Sequence, residues 1–158
     1  MRAEPLAADQ WERWRDLRLE ALRDTPIGYG ETHADALASP VERWTGTPTR
    51  PGFHCLLWDG DRPVGMAGGF VDDAGRPTVF GVFVQPGSRG RGGVGLLLDA
   101  VAEWARGEGA EQLRLEVHED NARAAAAYTR LGWVATGETR AYNLDETRAL
   151  HAMVRSLT

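Results

Sequence analysis

Lysine is absent from this chain of 158 residues, isoleucine occurs once, at Ile27, and cysteine once, at Cys55. The missing lysine excludes a Walker-type phosphate loop and any Schiff-base lysine. With abundant Ala, Arg and Gly, it reads as genomic G+C bias and carries no adaptive meaning. A lone cysteine forms no internal disulfide and has no companions at metal-ligand spacing, so Cys55, inside FHCLLWDG, reads as a buried packing residue rather than a nucleophile. No apolar run approaches the ~18–20 residues a membrane span needs. The stretch MRAEPLAADQW carries charges where a signal peptide is apolar, so a soluble, cytoplasmic protein with no membrane partner is expected. Positive charge is also short: 18 basic against 23 acidic side chains leave a formal net charge of −5. That argues against a nucleic-acid partner, which needs clustered positive charge, and favours cationic or neutral substrates.

The length suits one domain with a sizeable core, and no repeat, low-complexity tract or composition break divides it, so residues 1–158 are expected as a single domain. After a short strand near Arg2–Leu6, Asp9 with Glu12 makes a capping-box signature, and Trp14, Leu17 and Ala21 follow at helical spacing. A helix is predicted from about Asp9 to Arg23. SPVERW predicts a second, short helix behind Ser39 and Pro40. FHCLLWDG, RPVGMAGGFVDD and RPTVFGVFV, separated by the turn sequences DGDR and DDAGR, read as an antiparallel meander. Leu97, Val101 and Trp104 mark a helix that Gly107 and Gly109 end; LRLEV is a strand with Leu113, Leu115 and Val117 on one face. A further helix from Asn121 to Leu131 stops at Gly132, and two candidate strands, WVATGETRAYNL and HAMVRSL, close the chain. The order β-α-α-β-β-β-α-β-α-β-β describes an α/β sandwich with a mixed sheet.

The segment RGRGGVG, residues 89–95, holds four glycines between a predicted strand and a predicted helix. Glycines let successive N–H groups turn towards one point, and the helix N-terminus adds partial positive charge, so the segment suits a pyrophosphate. Arg89 and Arg91 would add charge-assisted donors. A flexible glycine turn is the bland alternative. Gly90, Gly92 and Gly95 also fit the dinucleotide fingerprint, with Glu116 about 20 residues beyond the last glycine. Against that reading, QPGSR separates strand from glycines, and three strands precede the unit where a dinucleotide fold usually begins with it.

VFVQPGSRGRGGVGLLLDAVAEWA resembles the acetyl-CoA loop of the GNAT N-acetyltransferases, [QR]-x-x-G-x-[GA], with Arg89 opening and Gly92 central. The last motif position falls on Val94, where the family has Gly or Ala; this departure weakens pyrophosphate approach there or moves one amide contact to Gly95. LEVHEDNARAAAAYTRLGW resembles the family's second cofactor motif, N-x-x-A-x-x-x-Y-x-x-x-G-[FY], through Asn121, Ala124, Tyr128 and Gly132, with Trp133 in the aromatic place. The resemblance covers Thr78 to Trp133 well, and LRLEALRDTP and HAMVRSL more loosely. Independently of any family, Asn121 and Tyr128 share one helix face, about 10.5 Å apart along the axis, with low alanines between them. An extended thiol-bearing arm fits such a face; the bland alternative makes Asn121 an N-cap and Tyr128 a core aromatic.

The resemblance implies a GNAT-type α/β fold: a mixed, mostly antiparallel sheet flanked by helices on both faces. It implies acetyl-CoA as acyl-donor cosubstrate, no metal, and transfer to a primary amine of a small molecule or peptide by direct attack through a tetrahedral intermediate. The amides of Gly90, Arg91, Gly92, Gly93, Val94 and Gly95 would hold the pyrophosphate, Val82, Phe83 and Val84 would pair with the pantetheine arm, and a backbone N–H in that strand would meet the oxyanion. Tyr128 would assist thiolate departure; with a reference pKa near ~10 against ~8.5 for a thiol, hydrogen bonding is more natural than full proton transfer. The strand TVFGVFV lacks a carboxylate, so Glu116, on an LEV strand like that of the ribosomal-protein N-terminal acetyltransferases, is the candidate base. The alternative pairs Glu116 with an arginine on a polar strand face; Glu31, His33 and His118 are further proton acceptors. Tyr29, Glu31, Trp44 and Tyr142 are candidate walls for the acceptor, acidic and aromatic enough to suit a cation. Symmetric dimers are common in this fold, so a homodimer is admitted, although no stretch marks an interface. Two rivals stay open: a non-catalytic acyl-CoA-binding module, favoured by Val94 and the missing strand carboxylate, and an NAD(P)-dependent oxidoreductase.

Overall fold

A computed structural model describes residues 1–158. The elements run β1 (Arg2–Pro5), α1 (Trp11–Asp24), α2 (His33–Leu37), α3 (Val41–Thr45), β2 (Phe53–Asp59), β3 (Arg62–Val71), β4 (Pro77–Val84), α4 (Gly93–Gly107), β5 (Gln112–His118), α5 (Ala122–Arg130), β6 (Val134–Tyr142) and β7 (Asp145–Ser156). Seven strands form one sheet in the order β1-β2-β3-β4-β5-β7-β6. Every neighbouring pair is antiparallel except β4 with β5. A doubly wound dinucleotide fold needs a run of parallel strands, so that alternative falls with the topology. No helix is long and apolar enough to cross a membrane.

The central strands are buried on both faces, which is why FHCLLWD shows no alternation of polar and apolar residues. Cys55 and Leu57 point to one core with Val64, Ala67, Leu97, Val101 and Trp133; Leu56, Trp58 and Met66 point to the other with Trp14, Leu17 and Trp44. Helices α4 and α5 cover the first face, α1 to α3 the second. Cys55 is fully buried and its thiol, donating to the Ala67 carbonyl at 3.4 Å, is pushed up to about 12 by burial, as a packing residue should be.

Three local expectations change. Helix α1 starts at Trp11 behind a single 3-10 turn, and Asp9 forms no capping box: Gln10 Oε1 instead accepts from the Ala7 N–H at 2.8 Å. Ser39 caps nothing; its hydroxyl donates to the Asp35 carbonyl, and Pro40 itself occupies the N-cap of α3. The third is α2, hidden from sequence periodicity by its five residues and set by Thr32, whose hydroxyl accepts from the Asp35 N–H at 3.1 Å.

The decisive irregularity lies between β4 and β5. Only Thr78 and Arg114 pair, and beyond them the strands part. Strand β4 carries a bulge there: its register against β3 shifts across Met66–Gly68, and Gly81 takes φ +67, a left-handed conformation that a Cβ would strain. Strand β5 is meanwhile drawn to β7 along its whole length, from Gln112↔Ser156 to His118↔Leu150.

His54, buried between Trp14 (ring centroids 5.0 Å apart) and Phe80 (5.7 Å), gives this fold an acid sensitivity. Burial, helped by the charge of Arg50, pushes its imidazole down to about 4. The unfolded chain therefore binds more protons than the folded one between pH ~6.5 and ~4, and stability present above that window falls as pH drops through it, by about 2–3 kcal/mol. Melting temperatures followed from pH 7 to 4.5 should decline less steeply for His54→Gln than for the parent; parallel curves would remove His54 as the cause.

Candidate active site

The parted strands open a cleft of about 670 Å³. Its walls are the free stretch of β4, the end of β5, the first turn of α4, one face of α5, the loop after α1 and the tip of the β6–β7 hairpin.

At one end lies the glycine segment. Gly92, at φ +82, is the N-cap of α4, and the first helical bond runs from the Leu96 N–H to its carbonyl at 3.2 Å. The N–H groups of Gly90, Arg91, Gly92, Gly93, Val94 and Gly95 consequently have no partner within the chain. Six consecutive free donors at a helix N-terminus make an anion site of the expected kind. Val94 leaves its amide in this set while its side chain packs against the α4-side core. The arginine side chains behave otherwise than expected. Arg91 pairs with Asp59 at 2.8 Å and lies outside the cleft. Arg89 reaches the cleft but commits Nε to the Val84 carbonyl (2.9 Å) and Nη2 to Asp24 (2.6 Å). Arg123 and Arg130, on α5, line the cleft instead, Arg130 without an ion pair.

The free edge of β4 comes next. The Gln85 N–H donates to the Val64 carbonyl at 2.8 Å and the Phe83 carbonyl faces Gly65, so both residues serve β3. By alternation, Val82 and Val84 turn their N–H and C=O groups into the gap. Of the three predicted residues, then, Phe83 contributes no backbone group to this edge. The Val82 carbonyl accepts from the Tyr29 hydroxyl at 2.8 Å, and the Val84 carbonyl from Arg89.

Across the gap, Asn121 caps α5, its Oδ1 accepting from the Ala124 N–H at 3.3 Å, while its Nδ2 stays available. Tyr128, one turn from the helix end, is buried and 6.3 Å from Trp133 between ring centroids, yet its hydroxyl has no partner in the protein and it lines the cleft. Burial pushes this phenol up to about 12, so it is a donor at neutral pH. Glu116 reaches the cleft from β5 and accepts from Arg140 Nε at 2.6 Å, which leaves its other oxygen unpaired. The alternative that pairs it with an arginine is therefore what the structure shows. His118 also lines the cleft, but its Nδ1 accepts from the Asp120 N–H at 3.0 Å, which puts the proton of the neutral ring on Nε2 and makes that nitrogen a donor, not a base. His33 opens α2, away from the cleft.

Two of the predicted acceptor walls lie outside the cleft. Trp44 packs among Trp14, Leu17 and Leu56 with Arg43 stacked 4.4 Å over it, and lines a smaller neighbouring cavity instead. Glu31 turns from the cleft into an ion pair with Arg43 (2.8 Å to Nη1) and Arg18 (3.0 Å to Nε). Burial opposes its ionisation, but these guanidiniums outweigh it and hold the carboxyl below its ordinary range. Tyr29 and Tyr142 do line the cleft, though their hydroxyls are committed, Tyr29 to Val82 and Tyr142 to the Tyr29 carbonyl. Five arginines and one carboxylate, Glu116, line the cleft, but Arg18 is paired with Glu31, Arg89 and Arg123 with Asp24, and Arg140 with Glu116, which leaves Arg130 without an ion pair. Of these, Arg18 had a sequence signal, since it lies one turn from Trp14 within the apolar stripe of α1.

No three His, Cys, Asp or Glu side chains are grouped to hold a metal ion.

Comparison with known proteins places the chain in a family. Streptothricin acetyltransferase of Streptomyces lavendulae is 36% identical over 83 residues, 52% of this chain and 44% of that protein, so the match spans less than half the length of this curated relative. The ribosomal-protein-alanine N-acetyltransferase of Brucella melitensis shares the fold at a TM-score of 0.78, with 18% identity and 99% of each chain covered. The yncA protein of Salmonella typhimurium, solved with its cofactor acetyl-CoA, gives 0.74 at 18% identity over 100% of this chain and 94% of that one. Nourseothricin acetyltransferase gives 0.62 at 26% identity over 70% and 68%. The profile of the acetyltransferase (GNAT) family matches residues 11–133, and the chain belongs to that family.

Proposed function

We propose that the chain is an acetyl-CoA-dependent N-acetyltransferase, acting as one domain on a primary amine of a small molecule. The observation that carries this reading is the run of six unpartnered amides at the head of α4, opening directly onto the free edge of β4. A pyrophosphate fits the first feature and an amide-bearing extended arm the second. Arg130, without an ion pair, adds a charged donor for phosphates, and the cleft's volume suits a ligand of that length. The relatives named for streptothricin and nourseothricin favour a small-molecule acceptor.

When bound, the cosubstrate supplies an acetyl thioester open to direct attack by the amine. The Gly90–Gly95 amides hold its phosphates, and Arg123 and Arg130 replace Arg89 and Arg91 as the side-chain donors. The Val82 N–H, on the edge where the strands part, donates to the acyl oxygen as charge gathers there. The Tyr128 hydroxyl, lacking any protein partner, donates to the departing sulfur; a phenol raised to about 12 assists by hydrogen bonding and keeps its proton. The unpaired oxygen of Glu116 accepts the amine's proton, directly or through water, while Arg140 holds the carboxylate in place.

Isothermal titration with acetyl-CoA, CoA and NADH should show binding of the two CoA species alone; binding of NADH, or of none, would sink the assignment. Tight acetyl-CoA binding without turnover on a broad amine panel would instead make the chain an acyl-CoA-binding module. Tyr128→Phe should lower kcat roughly 10²-fold with the acetyl-CoA Kd little changed, and an unchanged kcat would remove the acid role. Glu116→Gln should lower kcat/KM by about 10²-fold and abolish the acidic limb of its pH profile. A profile like that of the parent would leave Glu116 as the structural partner of Arg140.

A further inference from the structure

A second cavity, of about 350 Å³, adjoins the acceptor end of the cleft. Trp14, Trp44, His54, Phe70 and Phe80 give it an aromatic lining, and Arg18, Phe70 and Phe80 belong to both cavities. With its imidazole pushed down to about 4, His54 adds no charge at neutral pH, so the floor is apolar. Its rim is cationic. Arg18 and Arg43 share the one carboxylate of Glu31, and Arg50 adds a third guanidinium without an acidic partner, its Nη2 donating to the Arg43 carbonyl at 3.0 Å.

Arg18 stands where the two cavities meet. Its side chain is only 14% exposed and lies 4.8 Å over the Tyr29 ring. Nε is spent on Glu31, whereas Nη1 and Nη2 have no partner in the protein. A methyl group built on Gly81 would come within 3.7 Å of Nη1, so the free end of the guanidinium sits beside the residue that precedes Val82. A guanidinium cannot shed its proton, and its two terminal nitrogens form a fork that matches a carboxylate. We propose that the acceptor is an amine carrying a neighbouring carboxylate and an apolar side chain, an α-amino acid in chemical class, with the carboxylate held by Arg18 and the side chain in the aromatic cavity. A carboxylate on Arg18 leaves the adjacent amine at the β4 edge next to Val82, where the acyl group is expected. This inference rests on the acetyltransferase reading and names the acceptor of that same site.

The test compares matched pairs in a thiol-release assay with acetyl-CoA: phenylalanine against phenethylamine, and leucine against isoamylamine, with acetyl-CoA binding measured separately by calorimetry. For the parent protein, kcat/KM should favour the carboxylated member of each pair roughly 10²-fold or more. Arg18→Gln should shrink that ratio towards one, mainly by raising KM for the amino acid, and Arg18→Lys should restore part of it; the parent comparison stands even where a variant folds poorly. If acetyl-CoA binds and the plain amines are acetylated as well as or better than the amino acids, the acceptor assignment is overturned and the acetyltransferase reading survives. The acceptor assignment is equally overturned if a well-folded Arg18→Gln keeps the parent's ratio, or if acetyl-CoA binds and only amines outside this class are consumed. Failure to bind acetyl-CoA would end both.

Discussion

A single residue pair, Thr78 with Arg114, joins β4 to β5, and the site depends on that pairing going no further. Past it, backbone groups that a continuous sheet would satisfy must find other partners, at a cost of about 1–3 kcal/mol for each one left buried and unpaired. Two side chains take up the exposed carbonyls, Tyr29 on Val82 and Arg89 on Val84. Each does a second task. Arg89 also grips Asp24 at the end of α1, fixing the entry to the glycine segment, and the Tyr29 carbonyl receives the Tyr142 hydroxyl from the tip of the β6–β7 hairpin. The contacts that keep the gap open thus also hold the loop after α1, the β6–β7 hairpin and the glycine segment in one frame. What the frame leaves unspent are N–H groups: those of Val82 and Val84 on the edge and six at the head of α4. The site is built of donors.

Much of this was legible because it rests on local chemistry. RGRGGVG between a strand and a helix dictates an amide cradle whatever the rest of the chain does, and a seven-residue spacing sets Asn121 and Tyr128 on one face of α5. The core strands were legible through their unbroken apolar runs. The parts that failed depend on partners distant in sequence. Glu31 looked like an acidic wall until Arg18 and Arg43, thirteen residues before it and twelve after, took its carboxylate. Arg89 and Arg91 looked like phosphate donors because the loop was read without Asp24 and Asp59, lying 65 and 32 residues away. Phe83 failed for a geometric reason: a period of two along β4 sends only alternate residues to the open edge. Arg18 carries a local signal too, since an arginine among Trp14, Leu17, Ala21 and Leu22 on one helix face needs a reason to be there.

Net charge says little about the cleft, because what counts there is which charges are already answered. The chain totals −5, yet five arginines and one carboxylate, Glu116, line the cleft. Arg18 is paired with Glu31, Arg89 and Arg123 with Asp24, and Arg140 with Glu116, which leaves Arg130 as the guanidinium without an ion pair. Pairing does not exhaust a guanidinium, which carries five N–H donors and stays charged at any working pH. On the acetyltransferase reading proposed above, Arg130 and the amides at the head of α4 would answer phosphates, while the Nη1 and Nη2 groups of Arg18, without a partner in the protein, would answer a carboxylate on the acceptor and so bring the neighbouring amine beside Gly81, next to the free edge of β4.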